Sequence, residues 1–267
     1  MLQRCNMVNG KDYLILFILV TFLFSCKKDE KEDIPFVPPV STMSVDFSFL
    51  SSKKSSWINL TNWQYSTVSL AVWDNILNNN CALPIISFEK TIDQKASSLS
   101  SKEWEWVNKF TADTLTIRSK LIGKIVNDSV EWKLYISSTG IKLSTPDFLW
   151  IEGKSAYDQS GGWWLINEKP STPNPYIKIS WASVNGDTFN KFIIVKQSDP
   201  DCGQYLEYGT RNNAVYNAFY TLKIHNDNFI SIELNKENKE GRIKSEFIFN
   251  NSLWHCWNSS FVNIDCN

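Results

Sequence analysis

Polar and apolar residues alternate with a period of two along most of the chain after Pro84. Trp104 and Trp106 alternate with Glu103 and Glu105. Leu115, Ile117, Ser119 and Leu121 alternate with Thr114, Thr116, Arg118 and Lys120, and Val130, Trp132, Leu134 and Ile136 with Glu131, Lys133 and Tyr135. A period of two puts successive side chains on opposite faces, so these runs predict antiparallel strands with one buried and one wet face. The pattern recurs at Phe148–Glu152, Trp163–Asn167, Tyr176–Val184, Phe189–Lys196, Gln204–Tyr208, Val215–Ile224, Phe229–Leu234 and Arg242–Phe249. Turn-forming clusters separate the runs, among them Gly161-Gly162, Asn185-Gly186-Asp187, Asp199-Pro200-Asp201, Asn226-Asp227-Asn228 and Lys239-Glu240-Gly241. Short connections favour pairing of sequence neighbours, which predicts a mostly β fold, an antiparallel meander of about ten to twelve strands. That many strands overload a flat open sheet, so the expected form is a closed barrel or a packed sandwich.

One segment departs from this period. Val68, Val72 and Ile76 fall four apart with Trp73 and Leu77 beside them, which predicts one short helix over 66–80. Ser66 or Thr67 would cap its start, Asn78-Asn79-Asn80 would end it, and Pro84 would stop continuation.

Composition narrows the class. The chain has 267 residues, 43% of them hydrophobic, with 12 Trp, which is enough to bury a core. Its net charge of −1 supplies no basic field to hold a phosphate backbone, so nucleic acid is not an expected partner. At the N-terminus Arg4 and Lys11 precede an apolar run, Tyr13–Phe24, too short to span a bilayer and the right length for a signal-peptide core. Met7 would serve equally well as a start, with its own basic segment.

The apolar run ends in Leu23-Phe24-Ser25-Cys26, which resembles the lipobox of a Bacteroidota-type outer-membrane lipoprotein. Phe24 departs from the small residue usual at that position. The resemblance implies a signal peptide over 1–25, cleavage before Cys26, and a lipid on that cysteine that anchors the protein to a membrane. Residues 26–43 then read as an extended tether, charged from Lys27 to Asp33 and Pro-rich from Ile34 to Met43, and 44–267 as a single β domain. Lys27-Lys28 followed by acidic residues resembles a surface-export signal, which implies an outer-membrane address, facing outward. The strings FLWIEGKS (148–155), GGWW (161–164), GRIK (241–244) and WHCW (254–257) with Cys266 are similar to a lipoprotein group without an assigned activity. That likeness implies fold and address and brings no catalytic residue.

Cys5 leaves with the signal and Cys26 takes lipid, so Cys81, Cys202, Cys256 and Cys266 remain for an oxidising compartment. Three pairings are possible. The favoured one bridges Cys256 to Cys266, pinning the tail, and leaves Cys81 with Cys202. No CxxC pair exists and His225 and His255 are the two histidines, so neither a metal nor a cofactor is expected. GxSxG, HExxH, Walker and GxGxxG motifs are absent. Glu152 and Glu207 are strand glutamates that a glycosidase would need close together.

The aromatics carry the functional expectation. Trp163 and Trp164 are adjacent, so on a strand they face opposite ways, and one of them is left for solvent or ligand. Trp163, Trp164, Trp150 and Glu152 are the candidate ligand contacts, suited to stacking against a sugar ring. The expected function is thus a non-catalytic, lipid-anchored envelope protein that binds a glycan, another small ligand or a protein partner. The alternatives are a structural or envelope-assembly lipoprotein without a ligand and a hydrolase with an unrecognised site. The anchor is directly testable: Cys26→Ala should abolish metabolic incorporation of a fatty-acid analogue and leave precursor or soluble protein. Lipid label persisting on that variant would remove the anchor at Cys26.

Overall fold

The computed structural model describes residues 33–48, 60–112, 114–140 and 144–266, and the expected signal peptide and Cys26 lie outside them. From Ile34 to Asn267 the chain forms one compact unit. Its strands are β1 (Ser97–Ser100), β2 (Glu103–Ala112), β3 (Leu115–Val126), β4 (Ser129–Thr139), β5 (Thr145–Ala156), β6 (Gly161–Lys169) and β7 (Thr172–Val184). They continue as β8 (Asp187–Ile194), β9 (Tyr205–Thr210), β10 (Ala218–Ile224), β11 (Asn228–Leu234), β12 (Gly241–Lys244), β13 (His255–Trp257) and β14 (Asn263–Ile264). All fourteen form one antiparallel sheet in sequence order. The meander is as expected, with more strands than the period revealed. The expectation of closure fails, because β1 and β14 are the two edges of the sheet and do not pair.

Helices explain the open form. Thr61 caps α1 (Asn62–Asn80) with a capping box, in which its hydroxyl accepts from Gln64 N and Gln64 Oε1 accepts from Thr61 N. After a junction at Cys81, α2 (Ala82–Ile92) follows, with Pro84 in its first turn, where no backbone N–H is needed. Helix α1 packs on β12 and β13, α2 on β2, β3 and β4, and the two helices pack on each other. A helical layer therefore joins the two ends of the sheet, covering the apolar face that a barrel would have enclosed.

This corrects the helix reading as well. The buried face of α1 is Trp63, Ser66, Leu70, Trp73 and Leu77, stepping by three and four, while Val68 and Val72 are exposed. A third helix, α3 (Glu246–Phe249), is one turn long and replaces the end of the strand expected over Arg242–Phe249.

The inner face rests on one repeated contact. Trp104, Gly123, Trp132, Gly153 and Trp164 lie directly opposite one another across β2 to β6, alternating indole and glycine. Adjacent strands are about 4.8 Å apart, too close for two indoles lying flat side by side. Trp132 instead covers Gly123 and Trp164 covers Gly153: a Cβ on Gly123 would meet Trp132 Cζ3 at 2.5 Å, and one on Gly153 would overlap the Trp164 ring. The same contact pairs Trp181 with Gly162 and Trp257 with Gly241, and on the outer face Phe219 with Gly209. Indole N–H groups are satisfied where the row meets hydroxyls, Trp132 Nε1 donating to Ser155 Oγ at 2.9 Å and Trp164 Nε1 to Thr42 Oγ1 at 3.0 Å. From α2, Phe88 meets Trp164 edge-on at 5.4 Å.

The outer face is polar, and its charges alternate across strands. One row runs Glu103, Lys124, Glu131, Lys154, which places opposite charges in register. Cys256 and Cys266 are bridged as expected, closing a loop of sequence separation 10 that stabilises by about 2–3 kcal/mol. The expected second bridge is not formed. Cys81 and Cys202 are free thiols, and burial pushes the Cys81 thiol up to about 12, which keeps it protonated.

If indole-on-glycine packing sets the inner face, Gly153→Ala should destabilise the domain by about 2–3 kcal/mol through overpacking. Trp164→Phe in the same chain should recover part of that loss. Denaturant unfolding of the two single variants and the double variant measures the coupling, and purely additive losses would separate the two residues.

Candidate functional site

The segment expected to be a free tether is part of the domain from Ile34 onward. Pro35, Pro38, Thr42 and Met43 are buried, and Val40–Met43 forms a 3-10 turn in which Thr42 Oγ1 donates to Pro39 O at 2.7 Å. Three prolines and a short turn cost little entropy to fix, and polar groups of the sheet hold the strap in place. Asn190 Nδ2 donates to Ser41 O at 2.8 Å and to Ser44 O at 3.1 Å, and Tyr220 Oη donates to Asp46 O at 2.6 Å. Lys236 Nζ forms an ion pair with the Asp46 carboxylate. Together with Trp164 Nε1 on Thr42, these bonds tie the strap to β6, β8, β10 and the β11–β12 loop.

Beside the strap, over β7, β8 and β9, lies a groove of about 470 Å³. Trp181, Asn190 and Tyr208 are cross-strand neighbours in one row, so three consecutive strands meet on its floor. Trp181 can lie there because Gly162 beside it has no side chain. Hydroxyls and an amide line the wall at Ser183, Thr188, Thr210 and Gln159, alongside apolar Pro39, Val45 and Ala182, and Thr188 Oγ1 and Thr210 Oγ1 are bonded at 2.8 Å. Among the described residues the one carboxylate on the lining is Asp46, already engaged by Lys236. Aromatic floor, neutral hydrogen-bonding wall and this size suit a small polyhydroxylated ligand. On the far side of Asp46 a smaller cavity of about 120 Å³ lies among Trp63, Tyr220, Trp257 and Phe261.

The residues expected to form a site are only partly brought together: Glu152 and Trp163 are diagonal neighbours on the outer face of β5 and β6, while Trp164 faces inward. Trp164 is buried in the inner row, while Trp163, its neighbour, is half-buried on the outer face with Lys178 Nζ 5.7 Å from its ring centre. Adjacent indoles do point opposite ways, but the core one holds the strap. Trp150 sits in the bulge between the Leu134 and Tyr135 registers, packed edge-on against Phe148 at 5.5 Å. Glu152 is on the outer face between Lys133 and Leu165. Glu207 lies four strands away, about 19 Å at ~4.8 Å per strand, and is paired with Lys191 at 2.8 Å. That separation is too wide for a glycosidase pair, whose carboxyls stand within about 10 Å of each other.

His225 Nε2 lies 2.9 Å from Asp201 Oδ1, and His255 stacks on Phe249 with ring centres 3.8 Å apart. Among the described residues no group of three or more His, Cys, Asp or Glu side chains is placed to hold a metal ion. Nothing local in the sequence groups Trp181, Asn190 and Tyr208, because only strand register relates them. No protein-family model, no curated protein and no solved structure matches the chain.

Electrostatics give the strap a pH dependence. Partial burial alone would raise the Asp46 carboxyl, but hydrogen bonds from Lys236 and Ser48 outweigh it and hold the group at about 2. A depressed carboxyl stabilises the fold above its ordinary value of 3.8, and that contribution is lost as pH falls toward 2. Wild type should therefore exceed Asp46→Asn in thermal stability at neutral pH, with the gap closing between pH 4 and 2. Melting curves across that window check it, and a gap that stays constant would show that the Asp46 charge is not its source.

Proposed function

We propose that the protein is a lipid-anchored, non-catalytic binding module of the cell envelope whose groove takes a glycan. The groove over β7–β9 carries this reading: an indole and a phenol on the floor, neutral hydroxyls and amides around them, and its one carboxylate neutralised by a lysine. Sugar rings present apolar C–H faces to aromatics and hydroxyls to such walls. A net neutral wall favours an uncharged sugar unit over an acidic one. The volume of about 470 Å³ matches one or two sugar units rather than a long polymer. The address rests on the lipobox-like Leu23-Phe24-Ser25-Cys26 and the Lys-then-acidic segment after it, which support an anchor in the outer membrane with the domain facing outward. Among the described residues no helix is long and apolar enough to cross a membrane.

The test is a glycan array read with wild type and with Thr188→Arg. Thr188 is exposed at the groove mouth, so the arginine should block entry and leave the melting temperature unchanged. Binding of a neutral glycan by wild type and its loss by at least tenfold in Thr188→Arg is the expected result. A wild-type protein that retains no glycan, or a variant that binds as well as wild type, would end the glycan reading.

A further inference from the structure

The two edges of the sheet are finished differently. At the β14 edge the Cys256–Cys266 bridge ties the tail down, Asn62 N donates to Asn263 Oδ1 at 2.8 Å, and Asn62 Nδ2 donates to Cys256 O at 2.9 Å. At the other edge β1 pairs with β2 over Glu103–Glu105 alone. Among the described residues no strand pairs with β2 on that side from Trp106 to Ala112, a stretch of about 20 Å at ~3.4 Å per residue.

The direction of the backbone groups along that stretch follows from the register. Ile125 N donates to the carbonyl of Lys102, directly opposite it, at 2.9 Å. Antiparallel ladders alternate, so even-numbered residues of β2 bond to β3 and Val107, Lys109 and Thr111 turn their N–H and C=O groups to the open side. Lys109 N accordingly finds no strand acceptor and donates to Oδ1 of neighbouring Asn108 at 2.8 Å.

We propose that this open edge of β2 is a docking site for an extended peptide strand carrying an acidic residue at its centre. Unpaired edge groups are a template for strand addition, with side-chain pairs across the new ladder setting specificity. Lys109 lies mid-edge and opposite Arg118 of β3, and no acidic residue occurs between Trp106 and Ala112. Among the described residues nothing acidic pairs with Lys109, so a glutamate opposite it would meet an unsatisfied cation. On either side Val107 and Thr111 share the outer face and favour β-branched partners. A second copy of this chain is the wrong occupant, because antiparallel self-pairing centred on Lys109 sets the two lysines against each other.

The experiment titrates the purified protein with two blocked heptapeptides, Thr-Val-Val-Glu-Val-Val-Thr and the same peptide with lysine at its centre, by calorimetry. Amide hydrogen exchange is followed in parallel. The glutamate peptide should bind at least fivefold more tightly than the lysine peptide and slow exchange at Val107, Lys109 and Thr111. Val107→Pro removes an outward N–H that β3 does not use, so it should keep the fold and lose the binding. Lys109→Glu leaves the backbone untouched and should invert the preference between the peptides, which keeps the test decisive if the proline variant fails to fold. The proposal is overturned by any of three results: binding of neither peptide, protection of amides elsewhere, or a preference unchanged in Lys109→Glu. Self-association that protects these same amides would assign the edge to a second copy instead.

Discussion

An indole laid flat on a neighbouring glycine is the contact on which the inner face depends. A sheet built of large apolar residues alone has no room for so many indoles at neighbouring positions of adjacent strands. Replacing every second position of the row by glycine lets Trp132 and Trp164 each spread over the strand beside it. Glycine also lets a strand bend where a Cβ would resist, and an aromatic covering it restores the lost packing. The face so formed is continuous and apolar from β2 to β6, and it must be buried against something. Helix α2 covers it at β2 to β4, with Phe88 against Trp164, and α1 continues the layer over β12 and β13. A layer of helices in that position occupies the space a barrel would need, so the sheet stays open.

The same row explains why the chain before the sheet is ordered. Trp164 is fully buried, and its indole N–H needs an acceptor there, since an unmet buried donor costs about 1–3 kcal/mol. Thr42 provides one, and the strap is drawn across the sheet with it. Asn190 then takes the carbonyls of Ser41 and Ser44, and Lys236 takes Asp46. The groove over β7–β9 is therefore a consequence of core packing: one wall is the strap, held by a core tryptophan, and the other is the sheet. A strap that loosened would widen the groove and expose Trp181 and Tyr208 together.

Period-two patterning made the sheet legible, because a wet outer face forces polar residues into alternate positions of every strand. Turns were legible for a local reason: Asn127, Asn185 and Asn226 all have positive φ, which asparagine tolerates better than most residues. The Cys256–Cys266 bridge was legible from spacing. What escaped depends on relations between distant residues. Four-residue spacing of Val68, Val72 and Ile76 suggested a buried face, but Trp63, outside the expected helix, anchors the real one. Proline-rich sequence from Ile34 to Met43 looked like a spacer, and nothing local revealed that Trp164 and Asn190 would bind it. The groove residues Trp181, Asn190 and Tyr208 are united by register alone, whereas the expected set of Trp150, Glu152, Trp163 and Trp164 was united by nearness in sequence. Nearness along a strand alternates faces, so it divides Trp163 from Trp164 instead of joining them.

An open sheet must deal with two edges, and this one does so unequally. The C-terminal edge is short and covalently pinned, and α1 is bonded to it through Asn62, so frayed ends there would cost both a helix cap region and a strand pair. The N-terminal edge is long, and among the described residues only its first positions are paired. Natural sheets protect such edges with charge, and Lys109 does that against a copy of itself. The same charge leaves the edge selective rather than closed, because it repels a cationic strand and favours an anionic one. Groove and edge use different groups, side-chain hydroxyls and aromatic faces in one and main-chain amides in the other. Occupancy of one therefore places no steric demand on the groups that form the other, and a single open sheet can present both.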